Sequence, residues 1–169
     1  RIHLTKSTFF KPNKEKSWDV YHECKLEFDA KRVDNEYINN CVEKMREFVD
    51  FLANASLHYA WFFNPNFFRT SYKAELEVEI YNTINHLRCQ PVFASIMPLY
   101  LAIMTRLDKP NKVYELLSLL ETVNMRLYVL PDVFRRADSK QGELFSFAHE
   151  FFHDRNWTTE DEEEPVFTN

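Results

Sequence analysis

One glycine, Gly142, serves 169 residues. Walker loops, dinucleotide-binding G-x-G-x-x-G turns and G-x-S-x-G nucleophile elbows each need several glycines, because backbone must approach phosphate closely or turn sharply. None of these can be assembled here. The same scarcity argues against many tight hairpins, and so against an all-β fold. Basic charge is also short: 21 Lys and Arg face 26 Asp and Glu, a net charge of −5. A whole-chain electrostatic drive toward nucleic acid is therefore missing, and only local basic patches remain. Cysteine is limited to Cys24, Cys41 and Cys89, odd in number, widely spaced and without a C-x-x-C pair. That usage fits reduced thiols in a cytoplasmic protein better than disulfides or a thiolate metal site. The uncharged stretch from Gln90 to Thr105 holds Pro91 and Pro98; at that length it reads as a buried helix, and no membrane partner is expected. Arg1 stands where an initiator methionine would, with no signal-peptide pattern after it, so an excised or processed fragment is expected.

Apolar residues make up 45% of the chain, with sixteen Phe and eight Tyr, enough to bury a core at this length. Residues 1–33 mix charge with aromatics; Trp18, Tyr21, Leu26 and Phe28 suggest a short segment docking on the rest. After Asp34, an N-cap residue, the apolar row Ile38, Cys41, Met45, Phe48, Leu52, Ala55 and Tyr59 predicts a long helix that ends at Asn64-Pro65-Asn66. A second helix is expected from about Ser71, with Leu76, Ile80, Ile84 and Leu87 on one side and Glu75, Glu77 and Glu79 at its positive end. The segment after Pro91 carries Ile96, Leu99, Tyr100, Ile103 and Leu107, and Pro98 either kinks it or marks its start. Pro110 opens a further helix through Val113, Leu116, Leu117, Leu120, Val123 and Leu127, which Pro131 ends. Asp138 and Gln141 resemble a capping box for a last helix running to about His153. The run Glu160-Asp161-Glu162-Glu163-Glu164 reads as solvated. These elements add up to an all-α, irregular bundle of about five or six helices, divided into a docking segment (1–33), a bundle (34–155) and an acidic tail or linker (156–169).

The one stretch that looks like ready-made chemistry is His149-Glu150-Phe151-Phe152-His153, an H-E-x-x-H pattern. On a helix the two imidazoles share a face and can grip one zinc ion, with Glu150 as general base for its water. A catalytic zinc needs a third protein ligand. Thr159 occupies the position where the extended motif places a third histidine, Asn156 replaces its glycine, and only His58, His86 or Glu160 to Glu164 could otherwise contribute. The plainer reading is the amphipathic closing helix of a bundle, with Leu144, Phe145, Phe147, Ala148, Phe151 and Phe152 on its apolar arc and the two histidines on the flank, and no cofactor is expected. His153-Asp154-Arg155-Asn156 lacks the hairpin-and-helix context of an HNH nuclease. Arg135, Arg136 and Lys140 form the clearest basic cluster, a phosphate or DNA contact or simply a solvated loop. Asn124 falls within an apolar arc and needs a polar partner. Arg126 lies at that arc's edge, where Glu115 or another acid could pair with it.

Taken as a whole, the run from Leu116 to His153 is similar to a known pattern. It comprises an apolar helix with Glu121, then Arg126-Leu127-Tyr128, then Arg135-Arg136-Ala137-Asp138, then Leu144 with Ala148-x-Glu150-Phe151-Phe152. This resembles the helical middle region of GmrSD-like restriction proteins of bacteria, over about residues 34–155. Those proteins join a ParB/sulfiredoxin-like nucleotidase domain to an HNH-type nuclease domain, and their catalytic residues lie in the two terminal domains. Asn124 departs from the pattern, which has an aromatic or aliphatic residue there. The resemblance implies a non-catalytic scaffold in a phage-defence protein, with Arg126 as its most recognisable position. It also implies flanking nucleotidase and nuclease domains as partners, with DNA in reach of the basic cluster. The alternatives are a stand-alone helical protein-interaction domain and a zinc hydrolase built on His149, Glu150 and His153.

Overall fold

A computed structural model of the chain describes residues 8–10, 28, 35–64, 66–67, 76–130 and 141–154. Five α-helices are delimited among these residues: α1 (Asn35–Phe63), α2 (Glu77–Cys89), α3 (Met97–Arg106), α4 (Pro110–Asn124) and α5 (Gln141–His153). A π-helical turn, Met125–Val129, prolongs α4. No strand occurs among the described residues, and the chain is the expected all-α bundle. None of the described helices is long and apolar enough to cross a membrane.

The bundle is organised around α3. Met97, Pro98, Leu99, Tyr100, Leu101, Ala102, Ile103 and Met104 are all buried, as a helix that is apolar all round must be. Pro98 lies in its first turn, where the missing N–H costs nothing, so the proline starts the helix rather than kinking it. α5, α1 and α4 pack against α3, and α2 closes the side between α1 and α4. Pro110 likewise sits in the first turn of α4. Leu76, which precedes α2, takes the left-handed conformation at φ 60°, a placement that costs a non-glycine residue about 1–2 kcal/mol.

Two elements depart from the sequence expectation. The apolar row of α1 is divided between faces. Phe48 and Ala55 of that row enter the core, joined by Phe51 and Phe62 from outside it, whereas Ile38 and Met45 stay exposed. Helix α4 does not run unbroken to Pro131. Its buried row Val113, Leu117, Leu120 and Asn124 is followed by the π turn, which exposes Met125 and Arg126 and leaves Leu127, Tyr128 and Val129 half-buried. Asn124 is fully buried, and its Nδ2 donates to Gln90 Oε1 just beyond α2. A polar side chain is tolerated at this position because α2 supplies the partner.

The docking segment is visible at Thr8, Phe9, Phe10 and Phe28. Thr8, Phe9 and Phe10 are buried, and Phe28 packs against the core. The Thr8 hydroxyl donates to the Pro98 carbonyl at 3.1 Å, a carbonyl near the start of α3. The Phe9 ring lies 5.0 Å from Phe48, and Phe10 stands edge-on to Phe28 at 5.7 Å. Trp18, Tyr21, Leu26 and the acidic tail lie outside the described residues.

Tyr100 donates its hydroxyl to the His58 carbonyl at 3.1 Å, and burial pushes that phenol's pKa up. The His58 ring stands edge-on to Trp61 at 4.8 Å, and its buried Nδ1 has no partner. Loss of hydration disfavours the imidazolium and lowers the pKa from 6.5 to about 4. A depressed folded-state pKa on a base means that the unfolded chain takes up the proton first. Stability contributed by neutral His58 is complete above pH 6.5 and is lost as pH falls toward 4, by about 3 kcal/mol. Urea unfolding at pH 7 and pH 4.5 should therefore show a larger acid loss for the parent chain than for His58→Phe. Parallel losses would refute a buried neutral imidazole.

Candidate functional site

Helix α5 places the H-E-x-x-H residues. Phe145, Ala148 and Phe151 are its buried face, with Leu144 and Phe152 packed partly against the core. That choice of face leaves the histidines on the flank and turns Glu150 to solvent. The two imidazoles do lie side by side one turn apart, with ring centroids 4.4 Å apart and planes tilted by 53°. They are not equally accessible: His149 is half-buried with its Nδ1 enclosed, while His153 is exposed.

The decisive contact is at His153 Nε2, which lies 2.7 Å from the Phe9 carbonyl oxygen. A carbonyl can only accept, so Nε2 carries the proton and donates it. His153 therefore helps to hold the docking segment through Nε2, and its lone pair lies on Nδ1. Among the described residues, no three of His, Cys, Asp and Glu stand where they could share a metal ion. His58 is enclosed on α1, and His86 faces Glu121 at 3.2 Å on α2.

Arg106, in the last turn of α3, completes this end of the bundle. Its Nη1 donates to the Phe152 carbonyl and its Nη2 to the Asp154 carbonyl. These are end-of-helix acceptors of α5 that the helix itself leaves unsatisfied. A forked guanidinium spans two such carbonyls, and its charge suits the negative end of the helix dipole. Beside it opens a cleft of about 400 Å³ lined by Phe9, Phe51 and Phe152, by Glu47, Asp50 and Asn54 of α1, and by Thr105, Arg106 and His153. Glu47, Asp50 and Asn54 are spaced i, i+3, i+7, so one face of α1 supplies that whole wall. Thr105 donates its hydroxyl to the Leu101 carbonyl at 2.7 Å, which turns it back onto its own helix.

Apolar residues form a second concavity on another side. A groove of about 230 Å³ runs between α3, α4 and α5, lined by Leu99, Ile103, Leu116, Leu119, Leu120, Val123, Leu144, Phe147 and Phe151. Its two lips are exposed: Leu119 at 57% and Phe147 at 46%. Phe147 belongs to the apolar arc expected to face the core, and it instead forms this rim.

Of the other residues singled out in the sequence, Asn124 has the polar partner it needs. Arg126 is exposed on the π turn, and Glu115 pairs with Lys112 at 3.5 Å instead. Arg135, Arg136 and Lys140 lie outside the described residues. Sequence reasoning missed Phe9 and Arg106. The Phe9-Phe10 doublet and a basic residue ending a helix were the available signals, and neither names its partner. Comparison with protein-family models, curated proteins and solved structures finds no match.

Arg106→Met removes both charge-assisted bonds and should cost about 2 kcal/mol in urea unfolding. It should also speed hydrogen exchange at the Asp154 amide, which bonds to Glu150 at 2.8 Å. Arg106→Lys, a point charge without the fork, should recover less than half of that loss. Full recovery by lysine would show that charge alone matters.

Proposed function

We propose that this chain is a non-catalytic helical positioning module of a GmrSD-like bacterial defence protein, one that holds a nucleotidase domain and a nuclease domain in a fixed relation. The observation that carries the reading is the apolar groove between α3, α4 and α5 with Leu119 and Phe147 on its lips. Large apolar side chains on adjoining helices cost solubility and serve contact. The groove's lining is almost wholly aliphatic and aromatic, so it suits an uncharged apolar knob from a flanking domain of the same protein. The most reactive-looking residues support the same reading, because they have structural work: His153 ties down the Phe9 backbone and Arg106 caps α5.

The resemblance over residues 34–155 supplies the identity of the neighbours, and the all-α fold agrees with a scaffold role. In this reading the module works in the cytoplasm. Arg135, Arg136 and Lys140 supply phosphate contacts that bring DNA toward the nuclease, a sequence-independent attraction that weakens with salt. A stand-alone interaction domain would use the same groove for a separate protein.

Two measurements bear on this. The open reading frame that carries the chain should encode a ParB/sulfiredoxin-like domain and an HNH-type domain on its two sides; a frame encoding neither contradicts the proposal. In that full protein, Leu119→Asp with Phe147→Asp should lower nucleotide-dependent DNA cleavage about tenfold, the scale of losing about 1.4 kcal/mol at a contact centre. The same pair should leave the chain's own unfolding midpoint nearly unchanged. Unaltered cleavage would exclude the groove as the contact.

A further inference from the structure

Helix α1 carries more apolar residues than its own bundle uses. The core takes Phe48, Phe51, Ala55 and Phe62. A different row, Ile38, Val42, Met45, Val49, Leu52, Ser56, Tyr59 and Phe63, recurs at alternating steps of four and three along almost the whole helix. Its repeat is 3.5 residues, the spacing that keeps a seam facing a partner helix. Ser56 is the only polar member. Ile38, Val42, Met45 and Val49 are 43%, 53%, 47% and 56% exposed. No residue from 38 to 47 is buried, although a helical arm of that length is marginal in water without a packing partner.

We propose that this seam pairs, parallel and in register, with α1 of a second copy of the chain. The residue types favour that occupant. Val42 and Val49 fall on one set of seam positions, and Ile38, Met45 and Leu52 on the other. β-Branched residues at the first set with larger ones at the second favour two parallel strands. The flanks agree as well. On one side of the seam lie Phe48, Ala55 and Phe62, already packed into the protomer's own core. On the other lie Asn39, Arg46, Ala53 and Ala60. A parallel pair sets each flank against the opposite flank of the other copy, so the two bundles project to opposite sides and the small Ala53 and Ala60 make room. Arg46 then meets Cys41 of the second copy, and no like charges are opposed. An antiparallel pair would instead force both bundles onto the same side.

Size sets the strength. The exposed stretch from Ile38 to Val49, at 1.5 Å per residue and about 10 Å of width, offers a strip of roughly 180 Å² per copy, and Leu52 and Tyr59, which also pack against the protomer's own core, add only part of their surface. That is well below the roughly 800 Å² per partner of a standard stable interface. The pairing is therefore weak and concentration-dependent.

Sedimentation equilibrium of the whole chain from about 1 to 200 µM tests this. The apparent mass should rise from one chain toward two, and Val42→Glu with Val49→Glu should weaken association at least tenfold while the far-ultraviolet helix signal stays the same. Both residues are exposed, so the bundle does not depend on them. A second arm reads the orientation. Val42→Cys, with Cys24, Cys41 and Cys89 replaced by Ser, should oxidise to a disulfide-linked dimer, because a parallel pair sets the two positions opposite each other within bridging distance. A chain that stays monomeric throughout overturns the proposal, and so does a dimer indifferent to the two glutamates. A dimer without the disulfide overturns its parallel register.

Discussion

The all-round burial of α3 is the constraint on which the rest of the structure depends. Ordering a residue's backbone costs about 1–2 kcal/mol, and burying a large aliphatic side chain returns about 1.5–3 kcal/mol. A ten-residue helix can be held only if nearly every side chain is covered. Helices α1, α4 and α5 are the cover, and the docking segment completes it through Thr8 and the Pro98 carbonyl. The last turn of α3 then carries Arg106 to the end of α5, so the most apolar helix also delivers the bundle's main cationic cap. The cleft beside Arg106 and the groove beside Leu99 and Ile103 are two consequences of the same arrangement.

Three side chains fasten one element to a carbonyl or an amide on another. Tyr100 holds α1 at His58, Asn124 holds α2 at Gln90, and His153 holds the docking segment at Phe9. Such contacts contribute modestly to stability when made and cost more when one partner is removed. Their effect is to set which faces meet. H-E-x-x-H is the clearest case. The same helical spacing that makes it resemble a metal site also places His153 Nε2 against the Phe9 carbonyl.

Much of the helical layout was legible because local signals agree with the fold. Pro98 and Pro110 open helices, and the rows Ile80-Ile84-Leu87 and Val113-Leu117-Leu120 are buried as their spacing predicts. What was not legible depends on residues far apart in the chain. Arg106 reaches a carbonyl 46 positions away and His153 one 144 positions away, and no periodicity encodes either. In α1 two apolar rows overlap, and a single best row drawn through both mixes core residues with exposed ones. The π turn after Asn124 breaks the phase of α4 at a point where the sequence pattern continues. Phe147 shows the same limit, because an apolar arc says which residues avoid water and not whether a neighbouring helix covers them all.

In the proposed role the chain works through its uncovered apolar surfaces, while His153 and Arg106 fasten elements of the fold. Hydrogen–deuterium exchange, compared between the isolated chain and the complete protein that carries it, distinguishes that role from a ligand site in the cleft. Slower exchange is expected in the complete protein across Val113–Asn124 and Leu144–Phe151, the walls of the groove. Unchanged exchange in those two helices, with slowing confined to the cleft of Glu47, Asp50 and Arg106 when a small ligand is added, would contradict it.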